Sequence, residues 1–230
     1  MADNEAVVRP PSVSRRISMR FLPGEPSEAT STLVLNAGAA TSLFTDFRPL
    51  LDTPAACEWA FAGHKAYLPE GRCAWSHLLD SRMPRGADAP PDAALCCALA
   101  NGDELETGAM LNPASGRVEP YEEVWREEDV VPGTKVVALK LADRDRDGAV
   151  RGVFVQVGDW AQSVIRTEHG VSARRRHFVD SWRTVAAYGP HIDAMLPLDG
   201  ELEHDTSTYV TRVNNDRVHW AVVENYTWNS

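Results

Sequence analysis

Apolar residues nowhere run for the roughly twenty positions that a membrane-crossing helix needs. Cysteine is scarce: four in 230 residues, Cys57, Cys73, Cys96 and Cys97. None stands in a Cys-x-x-Cys or His/Cys metal spacing, so a disulfide scaffold and a zinc site are both excluded. They read as small thiols in a reducing compartment. The seven histidines form no His-x-His or His-Glu-x-x-His pattern, and no metal is expected. A Gly-rich phosphate loop and a Gly-x-Ser-x-Gly elbow are also missing, and no cofactor is expected. Positive charge is in the minority, with 23 Lys and Arg against 33 Asp and Glu and a net charge of −10. Nucleic acid and anionic membrane surfaces need a basic face, so neither is expected as a partner. The first residues carry no hydrophobic signal core. The expected location is the cytoplasm, with entry to the nucleus by diffusion. Helical periodicity is poor; only 93–100 and 121–128 fit two turns each.

Short extended runs fill the chain instead: 16–21, 31–35, 43–48, 58–61, 72–77, 105–111, 118–125, 135–141, 150–157, 162–167, 171–179, 182–187, 209–213 and 218–226. Gly, Pro, Asn and Asp separate them, the signature of antiparallel β structure. Asn112-Pro-Ala-Ser-Gly116 and Asn214-Asn-Asp216 read as hairpin turns, and the proline-rich 83–92 as a loose connection. The expected fold is all-β, two consecutive small antiparallel barrels with a few short helices, because closure removes exposed edges. The expected divisions are a mobile tail at 1–14, an N-terminal barrel at 15–127, a linker at 128–134 and a C-terminal barrel at 135–230.

Seven tryptophans, most of them inside the extended runs, mark the candidate sites. Alternation places Trp75 and His77 on one face of their run. It places Phe154, Gln156, Trp160 and Gln162 on one face of 153–162, and Trp220, Glu224, Tyr226 and Trp228 on one face of the last run. Aromatics mixed with polar groups suit a ligand cavity better than a dry core does. Trp59, Trp75, Phe154, Gln156, Trp160 and Tyr226 are therefore the expected substrate-binding residues, for an apolar or aromatic small molecule. His77, Gln162, Arg166 and Glu224 are the expected acid–base or polar catalytic groups.

Other motifs have plainer readings. Asp143-Arg-Asp-Arg-Asp-Gly148 matches the first half of a calcium loop, but Phe154 stands where the bidentate carboxylate belongs, so a charged turn is expected. Gly158-Asp-Trp160 resembles the Gly-x-Trp signature of lipocalins, where Trp packs a barrel end. Arg174-Arg-Arg-His177 reads as a solvated edge. Arg15-Arg-Ile-Ser18 has the form of a basophilic-kinase site.

Several motifs occur together in one order: Glu58-Trp-Ala-Phe-Ala-Gly63, Trp75 through Asp80-Ser81, Glu106-Thr-Gly-Ala109, Tyr121-Glu-Glu-Val-Trp125-Arg126, Val157-Gly-Asp-Trp-Ala-Gln162 and Trp220-Ala-Val-Val-Glu224. Across residues 15–228 the chain resembles the fungal Hri-type proteins, named for binding a yeast casein-kinase-I homologue. The resemblance implies tandem lipocalin-like (calycin-like) barrels, a fungal source and a capacity to form homodimers. It supplies no catalytic residues. At the level of fold the chain is also similar to fungal natural-product cyclases built on lipocalin-like barrels, among them hetero-Diels–Alderases. The expected function is cofactor-free cyclisation or cycloaddition in an aromatic-lined barrel, which would orient a diene and exclude water. The alternatives are an adaptor that docks a protein kinase or translocation component, and a carrier of an apolar metabolite.

Overall fold

The computed structural model describes residues 9–39, 41–53, 55–84, 87–141, 152–167, 169–190, 208–213 and 216–229. Eight antiparallel strands wind into a closed barrel: β1 (Ser12–Phe21), β2 (Leu33–Asn36), β3 (Leu43–Pro49), β4 (Cys57–Tyr67), β5 (Arg72–Asp80), β6 (Asp92–Ala98), β7 (Glu104–Asn112) and β8 (Arg117–Glu127). Each strand pairs with the next, and β8 closes onto β1. The remaining strands are β9 (Lys135–Leu141), β10 (Gly152–Val157), β11 (Trp160–Thr167), β12 (Gly170–Phe178), β13 (Trp182–Tyr188), β14 (Thr208–Val213) and β15 (Asp216–Thr227). They form a seven-stranded antiparallel sheet in the order β13-β12-β11-β10-β9-β15-β14. One closed barrel and a second sheet thus stand where two barrels were expected; among the described residues no ladder joins β13 to β14.

The expected helices at 93–100 and 121–128 are strands β6 and β8. Glutamates at 122, 123, 127 and 128 favour a helix only weakly. Tyr121, Glu123, Trp125 and Glu127 recur with period two and turn their side chains into the barrel, so tertiary packing overrides propensity. The one helical element among the described residues is a 3-10 turn at Pro69–Gly71. The hairpin expected at Asn112–Gly116 is present. Asn112 Oδ1 accepts from the Ala114 amide at 2.9 Å, and Gly116 takes φ +68°. The turns at 143–148 and 214–216 fall wholly or partly outside the described residues.

Strand β3 is buried along its whole length because both of its faces are covered. Phe44, Asp46 and Arg48 face the barrel interior, whereas Leu43 and Phe47 face outward into a core shared with the second sheet. That shared core joins Leu33, Leu35, Ala60 and Ala62 of the barrel to Val136, Val153, Val155, Val164 and Ala173 of the sheet. Burial of each large aliphatic side chain there contributes about 1.5–3 kcal/mol. The opposite face of the sheet has its own cluster, with Val137, Leu139, Phe154, Ile165, Tyr209 and Trp220.

Arg174–His177 is not a solvated edge. Strand β12 lies between β11 and β13, and Arg175 is 2% exposed. Its guanidinium donates to Gln162 Oε1 at 2.8 Å and to the Ser31 carbonyl at 2.7 Å, and also to the Phe47 carbonyl. Gln162, fully buried, donates from Nε2 to the Leu33 and Thr45 carbonyls at 3.1 and 3.0 Å. These bonds give the two buried polar side chains their partners and tie the second sheet to strands β2 and β3.

Candidate functional site

The barrel interior holds a cavity of about 640 Å³. Its aromatic wall comes from Phe44 on β3, Trp59 and Phe61 on β4, Trp75 on β5, and Tyr121 and Trp125 on β8. These residues alternate along their strands, so each inward ring is paid out by an outward neighbour that packs elsewhere. Carboxyl groups share the wall. Asp46, Asp80, Asp92, Glu104, Glu106, Glu123 and Glu127 outnumber the cationic Arg48, Lys65, His77 and Arg82 among the lining residues. The cavity rim between the β5–β6 connection and the β7–β8 hairpin is apolar and exposed. It includes Met83, Pro90, Pro91, Leu111 (58% exposed), Pro113 and Val118 (70% exposed).

Two polar clusters lie below that rim. In one, His77 is held between two carboxylates, Nδ1 at 2.8 Å from Asp80 and Nε2 at 2.9 Å from Asp92. Burial opposes its charge, but the bonds to Asp80 and Asp92 outweigh burial and raise the pKa to about 9. Trp59 Nε1 donates to the other Asp80 oxygen at 2.7 Å, and the Trp59 ring stacks on Phe61 with centroids 4.2 Å apart. Arg82 and Arg48 both lie against the Trp59 ring, at 4.2 and 4.9 Å.

In the other cluster, Arg48 donates to Asp46 at 2.8 Å and to Glu123 at 3.0 Å, and Arg16 reaches the same Glu123 oxygen at 2.6 Å. Glu106 stands directly across from Glu123 in the β7–β8 register. Burial, followed by the charge of Glu123, raises the Glu106 pKa to about 8. Its hydrogen-bond partner is the Tyr121 hydroxyl, which donates at 2.7 Å. Gly108 makes that contact possible. It lies opposite Tyr121, and a Cβ there would fall 2.8 Å from the ring. Asp46 Oδ1 and Trp125 Nε1, on lining side chains that are both buried, have no hydrogen-bond partner among the described residues.

Of the expected site residues, Trp59, Trp75 and His77 line this cavity. The others lie elsewhere. The hairpin turn at Gly158-Asp159 resets the alternation, so Phe154 and Gln156 face the far side of the sheet and Trp160 and Gln162 the barrel side. Gln156 Nε2 donates to the Gly158 carbonyl at 3.1 Å. Trp160 stacks on His177 at 3.9 Å and donates to Glu128, packing the seam between sheet and barrel. A register shift between Val222 and Glu224 likewise splits the last strand. Trp220 and Val222 join the far cluster, whereas Tyr226 donates to the Ala37 carbonyl of the barrel at 2.6 Å. Glu224 lies beyond the shift, opposite Ala138. Arg166 donates to the Asp80 and Met83 carbonyls at 2.7 and 3.3 Å, tying the sheet to the rim connection. Ser18 sits within β1, paired with Val124.

Sequence reasoning passed over Asp46, Arg48, Glu106, Tyr121 and Glu123. The signal was present in Phe44-Thr-Asp-Phe-Arg48, where charge and aromatic share one parity. Among the described residues, no group of three or more His, Cys, Asp or Glu is arranged to hold a metal ion, and no helix is long and apolar enough to cross a membrane.

A family model described as Protein HRI1 matches residues 12–224. No curated protein matches the sequence. The fold is similar to the crystal structure of the uncharacterised protein YLR301w from Saccharomyces cerevisiae, with a TM-score of 0.73 and 20% identity. The match covers 94% of this chain and 99% of that one.

Proposed function

This chain belongs to the Protein HRI1 family, and from that premise we propose that its barrel is a binding vessel for a small amphipathic molecule. One observation carries the reading: a cavity of about 640 Å³ inside a closed barrel, walled by six aromatic side chains and opening at an apolar rim. That volume lies within the usual range for small-molecule sites, and aromatic walls with a few placed polar groups are their usual lining. The polar groups are arranged for holding rather than turnover. Both ring nitrogens of His77 are spent on carboxylates, and Arg48 is spent on Asp46 and Glu123.

A second reading, cyclisation or cycloaddition in the same cavity, draws support from Glu106. A carboxyl group that keeps its proton near neutral pH, beside aromatic rings, can protonate a leaving hydroxyl and so release a reactive diene.

Titration of the protein with a panel of apolar, aromatic and amphipathic molecules separates these readings. Emission from Trp59, Trp75 and Trp125 reports occupancy. Saturable one-to-one binding with the ligand recovered unchanged supports the vessel. Conversion that Glu106→Gln abolishes supports the enzyme. No binding across the panel overturns both.

A further inference from the structure

We propose that the ligand of the barrel is a cationic amphiphile, a hydrocarbon chain headed by a protonated amine, which enters amine first and rests its ammonium against Glu106. The inference deepens the binding reading above and rests on it.

The argument begins with where charge is unmatched. Four of the seven lining carboxylates have a cation within reach: Asp80 and Asp92 share His77, Asp46 pairs with Arg48, and Glu123 is held by Arg48 and Arg16. Glu104 and Glu127, which have no ion pair among the described residues, are half-buried and exposed respectively. Glu106 differs. Among the described residues it has no cation within ion-pair distance, and its hydrogen-bond partner is the neutral phenol of Tyr121. An ammonium brings three donors and no acceptor, which suits a carboxylate. The surrounding rings, Tyr121, Trp125, Phe44 and Phe61, present the faces that attract a cation.

The polarity of the cavity sets the direction of entry. The buried charge is on Asp46, Arg48, Glu106 and Glu123, and the β7–β8 side of the mouth is apolar and exposed, with Leu111 and Val118, while Arg82 is the exposed charge on the β5–β6 side. A hydrocarbon chain therefore belongs at the mouth and a charged head below it.

A proton accompanies this exchange. The groups facing Glu106 are Tyr121 and Glu123 on β8, Arg48 on β3, Lys65 on β4, Cys96 on β6 and Glu104 on its own strand. In the empty barrel Glu106 balances this set by holding a proton. An arriving ammonium supplies the positive charge, so the carboxyl releases that proton to solvent as the ion pair forms.

The test uses three probes of equal chain length, dodecylamine, dodecanol and dodecanoate, below their aggregation concentrations. Calorimetric titration at pH 7 in two buffers of different ionisation enthalpy gives affinity and proton release together. The expected result is that the amine binds about tenfold or more tightly than either other probe. Its binding to the wild type releases a proton, up to about one per ligand. Glu106→Gln abolishes the release and reduces the amine preference. Equal or tighter binding of dodecanol or dodecanoate overturns the amine assignment while the vessel stands; so does amine binding without proton release. No binding of any probe overturns the vessel with it. The wild-type preference and proton count decide the question even if the variant folds poorly.

Discussion

Arg175 donates its Nε–H to Gln162 Oε1 at 2.8 Å, and the pair fastens the second sheet to the outer wall of the barrel. Neither residue reaches the cavity. Burial, helped by the charge of Arg15, lowers the Arg175 pKa to about 9, so the guanidinium is kept for its hydrogen bonds and not for an ion pair. Arg175→Leu leaves the buried Gln162 Oε1 without a donor, and Gln162→Leu leaves the buried Arg175 Nε–H without an acceptor. The expected loss of stability is about 2–4 kcal/mol, read from urea denaturation. Ligand binding per folded molecule should stay unchanged. Loss of binding with full stability would return Gln162 to the catalytic role that its sequence context indicated.

The cavity makes stability fall as pH rises. His77 has a folded pKa of about 9, above its ordinary 6.5. Its contribution is therefore fully present below about pH 6.5 and is lost as pH climbs through 9, a change on the order of 3 kcal/mol. Urea midpoints measured from pH 6 to 9.5 should decline, and His77→Gln should flatten that decline. An NMR titration of His77 with a midpoint near 6.5 would contradict the Asp80–His77–Asp92 arrangement.

Glu106 acts in the same direction over a lower window. Its folded pKa of about 8 exceeds the ordinary 4.5. Between those values the folded state binds more protons than the unfolded chain, so stability falls with rising pH. Glu106→Gln removes this burden. The variant should match the wild type near pH 4 and exceed it at pH 8 by a few kcal/mol, on the order of the pKa difference. Thermal melts at the two pH values check it; a variant weaker at pH 8 would mean that Glu106 is ionised and paired.

Gly63 closes the family-like motif Glu58–Gly63 for a steric reason. A Cβ there would stand 1.6 Å from the Ser76 carbonyl oxygen, where the β4–β5 register shifts. Gly63→Ala should cost about 3 kcal/mol or more and give little folded protein. Wild-type melting of that variant would show that the register shift can relax.

The strands were legible because apolar and turn residues alternate at short range, and that pattern survives folding. Trp59, Trp75 and His77 were legible as cavity residues because the β4–β5 register shift falls outside the short runs 58–61 and 72–77 that carry them. Phe154, Gln162 and Tyr226 were misplaced by two local events, the turn at Gly158-Asp159 and the shift after Val222, each of which reverses which parity faces inward. The acid-rich floor was hidden for another reason. Arg48, Glu106 and Glu123 carry charge, which normally marks a solvent face, and only barrel closure turns that face into an interior. The helix expected at 121–128 had the same cause.

The central claim is that the interior of the barrel is the binding space. Val34 lines that space from β2, and Val34→Trp would fill it. The decisive measurement is titration of wild type and Val34→Trp with the fluorescent apolar amine N-phenyl-1-naphthylamine, with melting curves to establish that both are folded. The account predicts one saturable site in the wild type, with quenching of tryptophan emission, and at least about a tenfold loss in the folded variant. Equal binding by a folded Val34→Trp, or none by the wild type, would contradict it.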